Sequence, residues 1–163
     1  MALEESATAF GSSVEEEAGR PLEELEARIE PPAGAGDSCF LGAFADHGIL
    51  VGTIGLGRRP GVKRRHVMDL RSVYVHPGWR TRGIGRMLLE AAVSYARGLK
   101  GVRHITLSVN AANMPARRLY RSLGFVCYGL EPAALYWDGV WHDEEYYMLV
   151  LDSPGPAARR RNS

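Results

Sequence analysis

Apolar and polar positions change period several times along this chain, and the changes mark its elements. Cys39 to Ala45 and Ile49 to Leu56 are apolar runs around a short Asp46-His47-Gly48 turn, the pattern of a β-hairpin. A long strand is expected over Val67 to Val75, and His104 to Val109 alternates with period two. Between them Ile84, Met87, Leu88, Ala91 and Tyr95 recur at helical spacing, which predicts a helix over 83–97 with those residues as its buried stripe. Asn113-Met114-Pro115 starts a second helix, with Asn113 as cap and proline in the first turn. Ala116, Leu119, Tyr120 and Leu123 continue it to Gly124. Phe125 to Tyr128 and Tyr146 to Leu151 read as the last strands, separated by a loop holding Trp137, Trp141 and His142.

Before these elements, residues 12–29 read as helices: Ser12 or Ser13 caps the first, and Pro21 divides it from a second carrying Leu22, Leu25 and Ile29. The order is helices, then β-β-β-α-β-α-β-β. This predicts an α/β (α+β) fold with a mixed, mostly antiparallel sheet flanked by helices. Residues 1–152 are expected to form one domain, and 153–163 a disordered basic tail with almost no apolar content.

Charge narrows the function. Lys plus Arg number 20 against 19 Asp plus Glu, so no global field recruits nucleic acid or a membrane surface. Basic runs at 58–65 and 159–161 lack the interleaved aromatics of a nucleic-acid groove. Cys39 and Cys127 have no metal-ligand or Cys-x-x-Cys spacing, so no metal is expected, and both read as buried free thiols. No apolar run is long enough to span a bilayer and no signal-peptide pattern opens the chain, so a cytoplasmic protein is expected.

The chemistry concentrates between Val73 and Leu88. An apolar strand enters a Pro77-Gly78 turn, and Arg80-x-x-Gly83-x-Gly85 then opens the helix. Glycines there permit a tight bend, so that free N–H groups converge at the positive end of the helix dipole. Arg80, Arg82 and Arg86 add full charges, and the product is a pyrophosphate cradle. A dinucleotide fingerprint is disfavoured, because the third glycine and the downstream acidic partner are missing.

Three motifs then stand in order: the strand with Arg80-x-x-Gly83-x-Gly85, Asn113-x-x-Ala116-x-x-Leu119-Tyr120, and Leu123-Gly124-Phe125. In this the stretch from Asp69 to Leu151 resembles the GNAT superfamily of acetyl-CoA-dependent N-acyltransferases. The resemblance implies transfer of an acetyl group from acetyl-CoA to a primary amine, by direct attack in a ternary complex. It implies a splayed strand pair that binds the cofactor. The backbone of Val73, Tyr74 and Val75 would hold the pantetheine arm, and Arg80, Thr81, Arg82, Gly83, Ile84, Gly85 and Arg86 the pyrophosphate. Asn113 and Ala116 would lie against the cofactor, Tyr120 would protonate the leaving thiolate, and the Val73 N–H would meet the oxyanion.

The base is less defined. The resemblance places Asp69 where some members carry theirs, and alternation puts Asp69, Arg71, Val73 and Val75 on one face, with an Asp69–Arg71 pair expected. His66, His76, Glu144 and Glu145 are other candidates. The family's first strand is not matched here, which predicts an exposed sheet edge and a possible homodimer. An acyl-CoA-binding module with weak turnover is the alternative reading.

Overall fold

The structure, a computed structural model, describes residues 38–45 and 48–151. The expectations for the helices at 12–29, the missing first strand and the basic tail lie outside the described residues. The strands are β1 (Cys39–Phe44), β2 (Leu50–Arg58), β3 (Val67–Val75), β4 (His104–Asn110), β5 (Val126–Trp137) and β6 (Val140–Val150). Helix α1 (Ile84–Gly98) joins β3 to β4, and α2 (Met114–Ser122) joins β4 to β5. One sheet results, in the order β1-β2-β3-β4-β6-β5, with β3–β4 the parallel pair and every other pair antiparallel. The expected mixed sheet flanked by helices is present. Among the described residues no helix is long and apolar enough to cross a membrane.

The core lies between the sheet and the two helices. From α1 it takes Leu88, Leu89, Ala92, Val93 and Ala96, whereas Met87 is exposed, as is Ala91. The helix is therefore turned by about one residue from the expected stripe, because the arc through Leu89, Ala92 and Val93 offers small and branched side chains that fit flat against β2. Gly52 fixes that close approach: a Cβ there would meet Leu88 at 3.0 Å and Ile84 at 3.2 Å. Of the two cysteines, Cys39 is half-buried and Cys127 is exposed, so the expectation of two buried thiols fails at the sheet edge.

A β-bulge in β3 resets the phase of that strand. Thr53 pairs with Tyr74 but Gly55 with Arg71, so Ile54 faces two residues, and Ser72 takes a left-handed φ of 53°. Before the bulge, Met68 and Leu70 point to the helices; after it, Val73 and Val75 do. Asp69 and Arg71 face the other way, with Phe40 beside Gly55 and the Arg71 guanidinium over Gly57. The expectation that Asp69, Arg71, Val73 and Val75 share a face is thus corrected by one inserted residue. Replacing Ser72 by Ile would force a β-branched residue into that conformation, and unfolding by urea should show a loss of about 1–3 kcal/mol. Ser72→Gly should cost nothing comparable.

The other departure is the end of the sheet. The expected loop around Trp137, Trp141 and His142 is instead strand: β5 and β6 form a long hairpin closed by Asp138-Gly139, with φ of 48° and 75°. Left-handed backbone at both central positions suits the twist of the strands. Tyr136 and Trp141 face each other across it, ring centres 4.6 Å apart.

Candidate active site

β3 and β4 begin in register and then part. Val67, Met68 and Asp69 pair with His104, Ile105 and Thr106, and no pairing continues beyond. The C-terminal half of β3 stays bonded to β2, and the His76 N–H donates to the Val51 carbonyl. Backbone groups alternate sides along a strand, so Val75 and Val73 turn theirs away from β2, into the gap. The Val75 carbonyl there accepts from Nε of Arg80 at 3.0 Å. A wedge bordered by backbone that lies outside the β-ladder is the central feature of the site.

The turn at the mouth of the wedge follows from Pro77-Gly78-Trp79. His76 Nδ1 accepts from the Gly78 N–H and caps a single helical turn, after which the chain extends at Arg80. From Arg80 (φ −64°) the sign of φ alternates, with Thr81 at 63° and Gly83 at 82° before α1 begins. Alternation of this kind points successive N–H groups into one concavity. Among the described residues, the backbone N–H groups of Thr81, Arg82, Gly83, Ile84, Gly85 and Arg86 have no acceptor; Met87 is the first to bond, to the Gly83 carbonyl. The helix dipole adds positive potential at the same point.

The arginines do not all serve that concavity. Arg80 reaches into the wedge; Arg82 lies 4.8 Å over the Trp79 ring. Arg86 turns along the helix, 2.7 Å from the Ser122 hydroxyl and 3.4 Å from Glu90. The Arg86 charge therefore helps tie α1 to α2. Gly85 keeps the wedge open, since a Cβ there would meet Leu119 at 3.2 Å and Val75 at 3.8 Å.

Helix α2 caps the other side of the wedge. Asn113 Oδ1 accepts from the Ala116 N–H at 3.2 Å, so that oxygen is committed to the helix, and Ala116 is half-buried against the core. Tyr120 is buried between Phe125 and Tyr147, with ring centres 5.9 and 6.1 Å away. Its hydroxyl has no hydrogen-bond partner among the described residues, and burial pushes the phenol up to about 12. A phenol raised in this way stays protonated through the neutral range and holds a transferable proton.

Asp69 is differently placed. Both of its oxygens accept from Arg59 Nε at 2.9 Å, Arg59 Nη2 lies 2.8 Å away, and Thr106 donates its hydroxyl to Oδ1 at 2.6 Å. The expected Asp69–Arg71 pair is replaced by this one, because Arg59 follows the end of β2 beside Asp69 while Arg71 lies over Gly57. The Asp69 carboxylate closes the base of the wedge. Asp69→Asn should lower stability by only about 0.5–1 kcal/mol, since both partners are over a third exposed, and a shift in the urea midpoint would measure it.

Sequence reasoning missed Arg59, Thr106 and Trp79, which lie outside the motifs. Arg59 stood in a basic run that read as a loop, and only its position opposite β3 gives it a partner.

Other proteins share this architecture. A phosphinothricin acetyltransferase from Sinorhizobium meliloti, solved in complex with acetyl-CoA, superposes with a TM-score of 0.79 at 24% identity, over 92% of this chain and 80% of that one. A streptothricin acetyltransferase of Streptomyces lavendulae is 41% identical over 89 residues, 55% of this chain and 45% of its own length. An L-amino acid N-acyltransferase of Escherichia coli is 34% identical over 88 residues, 54% of this chain and half of the other. The chain spans about half the length of the curated relatives it matches. The sequence profile of the acetyltransferase (GNAT) family matches residues 2–125. With the parted strands, the glycine-opened helix and the Asn113–Phe125 motif in place, the chain belongs to the GNAT family of acetyltransferases.

Proposed function

We propose that the protein transfers an acetyl group from acetyl-CoA to a primary amine, with cofactor and amine bound together in the wedge between β3 and β4. The observation that carries this reading is the parting of the two strands after Asp69–Thr106, with α1 starting at the mouth of the gap. Unpaired backbone N–H groups, and a glycine whose Cβ would close the gap, fit an elongated phosphorylated cofactor.

In this reading Val73 and Val75 pair their backbone groups with the pantetheine amides, as an added strand would. The N–H groups from Thr81 to Arg86 bind the pyrophosphate, with Arg80 and Arg82 adding charge at the rim. Arg80 exchanges its bond to the Val75 carbonyl for the ligand. Bound acetyl-CoA supplies the activated acetyl group as a thioester. The Val73 N–H stabilises the oxyanion, and Tyr120 gives its proton to the departing sulfur. The E. coli relative is named for an L-amino acid, and an amino acid amine belongs to the acceptor class proposed here.

Calorimetry with acetyl-CoA, paired with thiol release in the presence of a primary-amine panel, tests the reading. One-to-one binding and amine-dependent release are expected. No binding, or release that is the same without amine, would contradict it.

A further inference from the structure

The sheet face opposite α1 and α2 carries a second group of side chains beside the wedge. Ser108 and Asn110 stand on β4, the strand that borders the gap. Glu144 on β6 lies directly opposite Asn110 on one side and Glu131 of β5 on the other. Ser108 donates its hydroxyl to Glu144 Oε1 at 3.4 Å, and Tyr146, opposite Ser108, donates its phenol to Glu131.

Three features mark this group. Glu145 is engaged by Arg117 and Arg121, Asp69 by Arg59 and Glu90 by Arg86; among the described residues Glu144 faces no cation. Burial raises its carboxyl, and the charge of Glu131 raises it further against the opposing effect of Ser108. Beside it, Asn110 is 4% exposed, and its Oδ1 is fixed by the Ala112 N–H at 2.8 Å. Its Nδ2 is buried with no acceptor among the described residues. Buried donors are almost always paired, so one left open among the described residues, next to a carboxylate that faces no cation there, suits a bound partner. Ammonium and carbonyl oxygen, side by side, satisfy both groups at once.

We infer that this cluster is the acceptor end of the site: Glu144 receives the ammonium of an α-aminoacyl compound and takes its proton, while Asn110 Nδ2 donates to the adjacent carbonyl oxygen. This rests on the wedge being an acetyl-CoA site. Glu144 removes one proton and leaves a neutral amine, whose lone pair forms the new C–N bond to the thioester carbonyl. The C–S bond breaks, a second amine proton ends on the departing sulfur by way of Tyr120, and Glu144 returns its proton to solvent. Amide, free thiol and one released proton balance the step. Asp69, held by three donor groups, keeps its structural place.

The test is NMR on the CoA-loaded protein, with ¹³C-carboxyl glutamate and ¹⁵N-amide asparagine labels assigned by Glu144→Gln and Asn110→Ala. Glycinamide carries both groups, ethylammonium only the cation and acetamide only the carbonyl. Glycinamide should move the Glu144 and Asn110 signals together, ethylammonium the Glu144 signal alone, and the Glu144→Gln protein should lose the ammonium response while still binding CoA. Acetyl transfer to glycinamide should fall about 100-fold in Glu144→Gln. If CoA binds and neither signal responds to glycinamide, the acceptor assignment is wrong. If CoA itself does not bind, the reading of the wedge fails first, and the acceptor assignment falls with it.

Discussion

Gly85→Leu should reduce acetyl-CoA affinity by about 100-fold or more, equivalent to roughly 3 kcal/mol, while the protein still folds. The position is second in α1, where a side chain costs nothing in helix geometry. The space is the constraint: even a Cβ would sit 3.2 Å from Leu119 and 3.8 Å from Val75. A leucine must therefore push into the wedge or move α2. Gly83 makes the matching case by conformation. It has open space around it but a φ of 82°, so Gly83→Val strains the turn by about 1–3 kcal/mol and misdirects the N–H groups that follow. Titration calorimetry of both variants, with circular dichroism to confirm folding, reads the effect. Wild-type affinity in Gly85→Leu would remove the wedge from the account.

Tyr120→Phe should lower kcat about 100-fold and leave stability unchanged or slightly improved. The two halves of that expectation come from one observation: the ring is packed on Phe125 and Tyr147, but the hydroxyl has no partner among the described residues. Phenylalanine keeps the packing and deletes only an unpaired polar group. The sign of the pH effect follows as well. Burial raises the folded-state phenol from 10.0 to about 12, so the folded protein holds this proton more tightly than the unfolded chain does. The associated stability is fully present below pH 10.0 and is lost as pH rises toward 12. No falling limb of kcat below pH 10.0 should therefore belong to Tyr120. Stopped-flow thiol release across pH measures both, and an unchanged kcat would give the phenol a packing role only.

Much of this was legible in the residues themselves. The alternating strands, the glycines at the start of α1 and the Asn113 cap are local features, and local physics fixes them. The order of elements followed, and with it the mixed sheet. What failed depended on partners distant in sequence. The bulge at Ser72 is invisible to period-two counting, because it arises from how β3 meets β2, and it moved Asp69 and Arg71 to the opposite face from Val73 and Val75. Arg59 reached Asp69 for the same reason. In α1 two apolar arcs compete, and only the surface of β2 decides between Met87 and Leu89.

The β5–β6 hairpin is a different kind of miss. Asp138-Gly139 between aromatic and branched residues is a strong hairpin signal, and it was present in the sequence. Pro132 disguised the strand before it. A register shift between Glu131 and Leu135, with Ala133 at a φ of 52°, accommodates that proline at the edge of the sheet. Glu131 and Glu144 face each other only because the hairpin exists, so the acceptor cluster could not be assembled from spacing alone.

The central claim is that acetyl-CoA lies along β3 with its pyrophosphate at the start of α1. Backbone amide hydrogen exchange, with and without acetyl-CoA, tests it most directly. The account predicts new protection at Val73 and Val75 and across Thr81 to Arg86, with Tyr74 and His76 unchanged because their N–H groups already face β2. Protection elsewhere on the sheet, with Val73, Val75 and Gly85 exchanging as before, would contradict it.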